Sequence, residues 1–274
     1  MSLNVSTAQV TLNNGVGIPQ VGLGVWQSGG ATKRAVLAAI QAGYRHIDTA
    51  AVYGNEAQVG AAIAESGIAR DQLFVTTKLW NQDHGYDRAL AAFDTSLKRL
   101  HLDYVDLYLI HWPVAELRLE SWRALERLFA DKRARSIGVS NFLLPHLQQL
   151  EGAAKVLPAV NQIELTPFLQ RSETVAHCQE LGIALEAYSP LTRGKRLDHP
   201  LLLELAAAAK RSPAQIMLRW GIQHGFIVLP KSVTPTRIEE NAAIFDFTLN
   251  ADAMQRLDAL EEGLVTGWNP ETQA

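Results

Sequence analysis

The chain is poor in cysteine and has no strong excess of either charge. Cys178 is the single cysteine among 274 residues, so no intramolecular disulfide can form, as is typical of a reducing compartment. Lys and Arg total 25 and Asp and Glu total 28, which gives a formal net charge of −3. This balance indicates neither a nucleic-acid-binding protein nor a polybasic membrane anchor. We therefore expect neither nucleic acid nor membrane as a partner.

Long hydrophobic runs are also missing. The longest apolar stretch, near residues 201–209, is interrupted by Glu204 and falls far short of the ~18–20 residues that a membrane span needs. The first residues, Met1 to Asn4, lack the basic and apolar segments of a signal peptide. Hydrophobic residues make up 47% of the chain and charged residues 19%, which is typical of a large buried core. We predict a globular, cytoplasmic protein, with a monomer as its simplest state.

Three common catalytic signatures are absent or incomplete. The eight histidines form no His-Glu-x-x-His motif and no cluster with cysteine, so we predict no metal site. The segment 22–27 (GLGVWQ) lacks the third glycine of a dinucleotide-binding fingerprint. The segment 138–142 (GVSNF) lacks the last glycine of a serine-hydrolase elbow.

Strand and helix patterns alternate along most of the chain. Eight strands are predicted at 21–26, 45–49, 74–79, 105–111, 136–140, 159–165, 183–189 and 226–230. Helical sequence follows each strand, and an extra helix is predicted at 251–262. Before the series, the segment 9–20 contains Asn13-Asn14-Gly15, which indicates a β-hairpin. Eight such units predict one (β/α)8 TIM-barrel domain over residues 1–274, with the hairpin at its bottom.

Polar residues stand at the carboxyl ends of these predicted strands, where barrels of this kind carry their active sites. They are Asp48 and then Tyr53, Lys78, His111, Ser140 with Asn141, Gln162, Tyr188 with Ser189, and Lys231 with Ser232. A purely structural barrel would more often place turn residues there. The strand ends therefore indicate a functional site.

Asp48, Tyr53, Lys78 and His111 form a set suited to reducing a carbonyl group. Lys78 paired with Asp48 is expected to lower the pKa of Tyr53 and so make it a better acid. His111 can donate a hydrogen bond to the substrate oxygen. Each residue alone also has an ordinary structural interpretation, and Lys78 could instead be the Schiff-base lysine of a lyase or isomerase. Spacing leaves these alternatives open, and the set supplies no hydride.

Longer motifs make the sequence resemble the aldo-keto reductases, over about residues 10–262. The motifs are 43–50 (GYRHIDTA) with 53–56 (YGNE), 109–113 (LIHWP), 138–142 (GVSNF), and 229–235 (LPKSVTP) with 237–241 (RIEEN). The resemblance implies the same barrel with an N-terminal hairpin. It also implies that Tyr53 is the general acid, that Lys78 and Asp48 tune it, and that His111 orients the substrate carbonyl.

The same resemblance implies NADPH as the hydride source. Ser140, Asn141 and Gln162 would then hold the nicotinamide carboxamide, and Tyr188 would stack on its ring. Ser189 and Leu191 would lie at the pyrophosphate, although the following Thr192-Arg193-Gly194 departs from the animal members. The remaining contacts would be made by residues of the C-terminal motif: Lys231, Ser232, Val233 and Arg237 around the 2′-phosphate, and Glu240 and Asn241 at the adenine.

Aromatic residues suggest the substrate class. By analogy with the family, Trp26, Trp80 and Trp112 would line the pocket with Tyr53, and the connecting loops are short. We expect a small-molecule carbonyl substrate: an aldehyde, a small ketone, an α-dicarbonyl or a keto-sugar acid. The short loops resemble the bacterial branch that includes 2,5-diketo-D-gluconate reductases. Trp268 either covers the mouth or packs on the barrel wall. The rival interpretation is an NADPH-binding barrel with a sensing or structural role.

Overall fold

The computed structural model describes residues 4–273. Residues 1–3 and 274 lie outside the described residues. The two ends of the predicted 1–274 domain, and most of the Met1–Asn4 segment that was compared with a signal peptide, therefore also lie outside them. The strands are β1 (Gln9–Thr11), β2 (Gly17–Pro19), β3 (Leu23–Gly24), β4 (His46–Asp48), β5 (Phe74–Leu79), β6 (Val105–Ile110), β7 (Ala134–Ser140), β8 (Val160–Glu164), β9 (Ala184–Tyr188) and β10 (Ile227–Leu229). The α-helices are α1 (Thr32–Gln41), α2 (Glu56–Glu65), α3 (Tyr86–Leu100), α4 (Arg118–Ala130), α5 (Leu144–Glu151), α6 (Ser172–Glu180), α7 (Pro200–Ala209), α8 (Pro213–Gln223), α9 (Pro235–Ala242), α10 (Ala251–Asp258) and α11 (Pro270–Gln273).

Strands β3 to β10 form one parallel sheet in chain order. Bridges between Val21 and Val228 and between Gly24 and Lys231 bring the first and last strands together, so the sheet closes into a barrel. Strands β5 and β6 are buried along their whole length, because one face lines the barrel and the other lies under the helices. The predicted (β/α)8 barrel is confirmed.

The N-terminal hairpin, β1 and β2, fills the bottom of the barrel. Asn13 donates from its amide to the carbonyl of Pro158 (2.9 Å), just before β8. Leu12 and Ile18 are buried against the lower interior residues of the barrel: Phe74, Leu107, Leu109, Val160 and Ile227. The turn places Gly15 at φ +84°, a conformation that glycine adopts without strain. The predicted β-hairpin at the bottom of the barrel is therefore confirmed.

Several predicted boundaries are wrong near the C-terminus and at strand ends. Helix α10 ends at Asp258, not at Glu262, because the next residues turn back and the amide of Leu264 donates to the carbonyl of Phe168 (3.0 Å). The short helix α11 was not predicted. His111 lies one residue beyond β6, although its amide still donates to the carbonyl of Leu79 (3.1 Å).

Within residues 4–273, none of the helices is both long enough and apolar enough to cross a bilayer.

Candidate active site

Two charged side chains lie in the upper layer of the barrel interior. Side chains alternate between the two faces of a strand, so Asp48 of β4 and Lys78 of β5 point inward near the mouth. His46 and Thr76 lie one layer lower and are hydrogen-bonded to each other (3.1 Å). Gly22 leaves room for His46, because a Cβ there would lie 2.7 Å from the imidazole Nδ1.

Lys78 and Asp48 form a buried ion pair. The Lys78 ammonium donates to Asp48 Oδ1 (2.6 Å) and to the carbonyl oxygen of Thr49 (2.9 Å). Burial alone would lower the pKa of Lys78, but the nearby Asp48 and Tyr53 outweigh it and the pKa is raised. Lys78 therefore carries its charge at neutral pH, with its partners fixed in place.

The pair lies beside the phenol of Tyr53. The Lys78 Nζ atom is 5.2 Å from the centroid of the Tyr53 ring. The expected lowering of the Tyr53 pKa is nevertheless wrong. Burial raises the pKa of Tyr53, the Lys78 charge lowers it by less, and Asp48 raises it again. The lysine therefore limits an increase caused by burial, and the phenol holds its proton at neutral pH.

His111 completes this group of four. Its ring centroid is 5.7 Å from that of Tyr53 and 5.4 Å from that of Trp80, both in edge-on contact. Burial, followed by the charge of Lys78, holds the pKa of His111 well below its usual range. The imidazole is therefore neutral at pH 7 and suited to hydrogen-bonding an uncharged carbonyl. The structure brings together all four residues that the sequence singled out.

A shelf of amide and hydroxyl groups adjoins this group. Ser140 at the end of β7 donates to the carbonyl of Gln162 (2.8 Å), and Asn141 donates to the carbonyl of His111 (2.9 Å). Asn141 has a φ of +63°, which asparagine tolerates better than most residues. The hydroxyl of Tyr188 donates to Asn141 Oδ1 (2.8 Å). These contacts fix Ser140, Asn141 and Tyr188 relative to His111.

Gln162 joins the shelf to the ion pair. Its amide nitrogen donates to Asp48 Oδ2 (2.9 Å) and to Glu186 Oε2 (2.7 Å), which uses both hydrogens. Within the described chain its carboxamide oxygen accepts no hydrogen bond, so it is the free atom of this side chain. Glu186 is fully buried on β9 and was not predicted as a site residue.

A second polar region lies around β10 and α9. Lys231 and Arg237 are exposed and form no ion pair with any carboxylate in the part of the chain that the structure describes. Ser232 is buried and accepts from the amide of Thr234 (3.1 Å) just before α9. Val233 is partly buried against the core. Free cations at the start of a helix favour an anionic group.

Glu240 and Asn241 lie on the second turn of α9. The carbonyl of Glu240 accepts from the amide of Gln215 (3.1 Å), which ties this helix to α8. Asn241 is 4% exposed, whereas the Glu240 side chain is half-buried. Their predicted contacts with adenine stay a prediction.

The loop after β9 contacts the loop after β3, on the far side of β10. Ser189, Thr192 and Arg193 have φ of +46°, +50° and +51°, a left-handed backbone that is uncommon outside glycine. This shape brings the guanidinium carbon of Arg193 to 4.5 Å from the ring centroid of Trp26, in the loop after β3. Leu191 is partly buried beneath the loop. The predicted pyrophosphate contacts of Ser189 and Leu191 stay a prediction.

The C-terminal tail closes one side of the pocket. Trp268 lies 5.6 Å from Trp112 and 6.3 Å from Trp80 between ring centroids, so it covers the mouth and does not pack on the outer wall. The amide of Thr266 donates to both carboxylate oxygens of Glu164 (3.1 Å each), and its hydroxyl donates to the same group. This buried bond anchors the tail beside Trp268.

Sequence reasoning missed Glu164, Glu186 and Thr266. Glu164 and Glu186 are carboxylates in predicted strands at inward-facing positions, and that position is the signal that could have pointed to them. Thr266 carries no such signal, because its partner lies 102 residues away.

Comparison with known proteins agrees with this geometry. The profile of the Aldo/keto reductase family matches residues 20–262. A glyoxal reductase of Bacillus subtilis is 50% identical over 264 residues, which cover 96% of each chain. A 9,11-endoperoxide prostaglandin H2 reductase of Trypanosoma cruzi is 46% identical, over 98% of this chain and 97% of that protein.

Solved structures show the same relationship. The Bombyx mori aldo-keto reductase in complex with NADP has a TM-score of 0.91 and 40% identity, covering 96% of this chain and 95% of that one. The narrower likeness to 2,5-diketo-D-gluconate reductases stays a prediction. The chain belongs to the aldo/keto reductase family, and the expected oxidoreductase class, with NADP(H) as the family's cofactor, is confirmed.

Proposed function

We propose that the protein reduces aldehydes and small ketones, α-dicarbonyls or keto-sugar acids to alcohols, with NADPH as reductant and Tyr53 as general acid. The observation that carries this proposal is the charged Lys78–Asp48 pair beside a protonated Tyr53 and a neutral His111. These groups meet next to an aromatic pocket, where a carbonyl oxygen can be hydrogen-bonded and then protonated.

The chain's own residues fit the cofactor. The free carboxamide oxygen of Gln162, beside Ser140 and Asn141, can accept from an amide such as that of nicotinamide. Lys231, Ser232 and Arg237 would hold a phosphate, because neither cation has a carboxylate partner in residues 4–273. The half-buried Tyr188 ring would face the nicotinamide.

When bound, NADPH supplies the hydride. His111, neutral in its buried setting, hydrogen-bonds the substrate carbonyl and orients it. Tyr53 gives its proton to the oxygen as negative charge develops there, because an alkoxide is more basic than a phenolate. Lys78 stabilises the resulting phenolate, and Asp48 keeps Lys78 charged and in position. The raised pKa of Tyr53 keeps the proton available at neutral pH.

The pocket favours substrates with apolar surface. Trp268 contacts both Trp80 and Trp112 along one side, and Trp26 lies on another with 38% of its surface exposed. Such walls select by shape more than by hydrogen bonds. The relative named glyoxal reductase supports α-dicarbonyls as the first compounds to test.

The charge state of Lys78 argues against a Schiff-base enzyme. Such a lysine needs a free amine that can attack a carbonyl. Lys78 is fully buried, bonded to Asp48 and the Thr49 carbonyl, and has a raised pKa. We therefore set the lyase and isomerase interpretation aside.

The test of the proposal is turnover at the NADPH absorbance band. Methylglyoxal, glyoxal, a small aldehyde panel and a diketo-sugar acid are each assayed with NADPH and with NADH. We expect turnover that prefers NADPH. The Tyr53→Phe variant should lose on the order of 10³-fold in kcat, since general acid catalysis contributes roughly 10²–10⁴-fold. NADPH binding, measured by tryptophan fluorescence, should change little.

Two results would contradict the proposal. Turnover by Tyr53→Phe at the wild-type rate would remove Tyr53 from the role of acid. Tight NADPH binding with no turnover on any carbonyl would favour the sensing or structural barrel instead. A cytoplasmic monomer stays a prediction, which gel filtration with light scattering can check for the oligomeric state.

A further inference from the structure

Glu186 lies directly below the proposed site, and the mechanism does not use it. It is fully buried at the centre of β9, in register with Gln162 on β8 and Ile227 on β10. Its Oε2 atom accepts from the Gln162 amide (2.7 Å), whereas its Oε1 atom is buried without a hydrogen-bond partner in the described chain. A buried carboxyl group with one oxygen unpaired is costly, which points to a role beyond packing.

The amide of Gln162 bridges two carboxyl groups. One of its hydrogens goes to Asp48 Oδ2 (2.9 Å) and the other to Glu186 Oε2. Because both donors are used, the carboxamide plane of Gln162 is fixed, and its free oxygen has one orientation. Asp48 alone would leave the plane free to rotate about a single contact. Glu186 therefore supplies the second contact that sets where the free oxygen stands.

The charges around Glu186 give it a second property. The charged or titratable groups that face it are His46 and Asp48 from β4 and Lys78 from β5, with Tyr53 beyond Lys78. Lys78 and Asp48 neutralise each other, so ionised Glu186 would add one net negative charge below the cofactor shelf. Burial, followed by Asp48, raises the pKa of Glu186 to about 8. Burial lowers the pKa of His46 to about 4, so His46 stays neutral when Glu186 titrates.

We propose that Glu186 is a positioning residue for the cofactor, which fixes Gln162 jointly with Asp48 and whose loss of a proton favours oxidised over reduced nicotinamide. The oxidised ring carries a positive charge that the reduced ring lacks, so a negative charge below it acts on one form only. This inference rests on the proposed function, because it assumes that NADP(H) binds at this shelf. By linkage, binding of the oxidised form releases a proton from Glu186.

The test is binding, not turnover. Dissociation constants for NADP⁺ and NADPH are measured by tryptophan fluorescence between pH 6.5 and 9. The ratio of the two constants cancels effects on the shared phosphates. For the wild type we expect the affinity for NADP⁺ relative to NADPH to rise roughly four- to sixteenfold with pH, as a charge ~10 Å away at an effective dielectric of roughly 20–40 would give.

Variants separate the charge from the hydrogen bond. Glu186→Gln keeps an oxygen acceptor for Gln162 but cannot ionise, so its ratio should not change with pH. Glu186→Leu removes the acceptor, and both dissociation constants should rise several-fold. Ser136→Ala is the control, since Ser136 is buried and uncharged and contacts Asn14, not His46 or Glu186, and it should keep the wild-type pH dependence. Tyr53→Phe should keep it as well, which excludes titration of the phenol.

A ratio that is independent of pH in the wild type, or a Glu186→Gln variant with the wild-type dependence, would overturn the inference. Should Glu186→Leu fail to fold, Glu186→Gln still decides the matter. The two proposals fail differently. Absence of cofactor binding, or binding without turnover, contradicts the proposed function, whereas binding of both cofactors with a constant ratio contradicts only the role of Glu186.

Discussion

Asp106 near the bottom of the barrel and Asp48 at its mouth are both buried carboxylates, but their partners differ in kind. Asp106 accepts from Arg70 (2.7 Å), Arg135 (2.7 Å) and the amide of Val75 (2.9 Å), all fixed donors that stay protonated. Asp48 accepts from Lys78 and Gln162, which lead on to Tyr53 and Glu186. A buried carboxylate bound only by permanent donors has a structural role, whereas one connected to titratable groups can take part in proton chemistry.

The other residues at the bottom and at the mouth of the barrel show the same division between structural and functional groups. The bottom is closed by apolar residues of the hairpin and by backbone hydrogen bonds. The mouth holds exposed tryptophans, cations without carboxylate partners among the described residues, and a loop with a left-handed backbone. A left-handed backbone outside glycine costs stability, and residues with this backbone tend to cluster at functional sites. The comparison predicts that substitutions at the bottom change stability and that substitutions at the mouth change catalysis.

The largest expected effect comes from exchanging each aspartate for asparagine. Asp48→Asn removes the charge that holds Lys78 protonated, so we expect kcat/KM to fall on the order of 100-fold. Asp106→Asn keeps one acceptor but loses bonds to an arginine or to Val75, and should lower the free energy of unfolding by about 3 kcal/mol. Urea unfolding and turnover of folded enzyme are measured for both variants. If Asp106→Asn lost as much turnover as Asp48→Asn, the distinction between a structural Asp106 and a catalytic Asp48 would be wrong.

A smaller effect on catalysis, with a similar effect on stability, is expected from the apolar groups that close the two ends. Leu12→Ala removes a buried plug residue and should cost about 2–5 kcal/mol of stability without altering KM. Trp268 is 54% exposed, so Trp268→Ala should change stability by less than about 1 kcal/mol. Its contacts with Trp80 and Trp112 would be lost, and KM for the carbonyl substrate that the assay identifies should rise about fivefold with little change in kcat.

Glu271→Gln provides the control for the tail. It weakens the exposed bond to Arg171 (2.8 Å) without touching the pocket, so KM should stay at the wild-type value. An unchanged KM in Trp268→Ala would show that the tail covers the pocket without contacting substrate.

The sequence predicted the mouth in part because periodicity of two and the barrel rule act together. Lys78 lies near the carboxyl end of one predicted strand and His111 lies at the end of the next. The sequence therefore assigns both side chains to the same end of the barrel without knowledge of their contacts. Glu186 was not predicted as a site residue because its strand has no distinctive sequence pattern. Its contact with Gln162 depends on the pairing of two neighbouring strands, which the sequence does not show. The direction of the Tyr53 pKa was wrong because the sequence shows the lysine but not the depth of burial. The position of Trp268 required the bond between Glu164 and Thr266, which no local pattern encodes.

The smallest effect is expected from Arg193 at the mouth, which can be compared with two arginines at the bottom of the barrel. Arg70 and Arg135 at the bottom are held by Asp106, whereas Arg193 at the mouth contacts the ring of Trp26 and forms no ion pair with the described residues. An exposed cation–π contact is worth about 0.5–1 kcal/mol, which corresponds to roughly a two- to fivefold change in a rate. Because this contact joins the loops after β3 and β9, on either side of β10, Arg193→Met should speed NADPH release by that factor in stopped-flow fluorescence. Arg193→Lys, which keeps the cation, should lie between Met and the wild type. A loss of NADPH affinity greater than tenfold in Arg193→Met would instead make Arg193 a direct phosphate ligand, and an unchanged release rate would show that the mouth opens without breaking this contact.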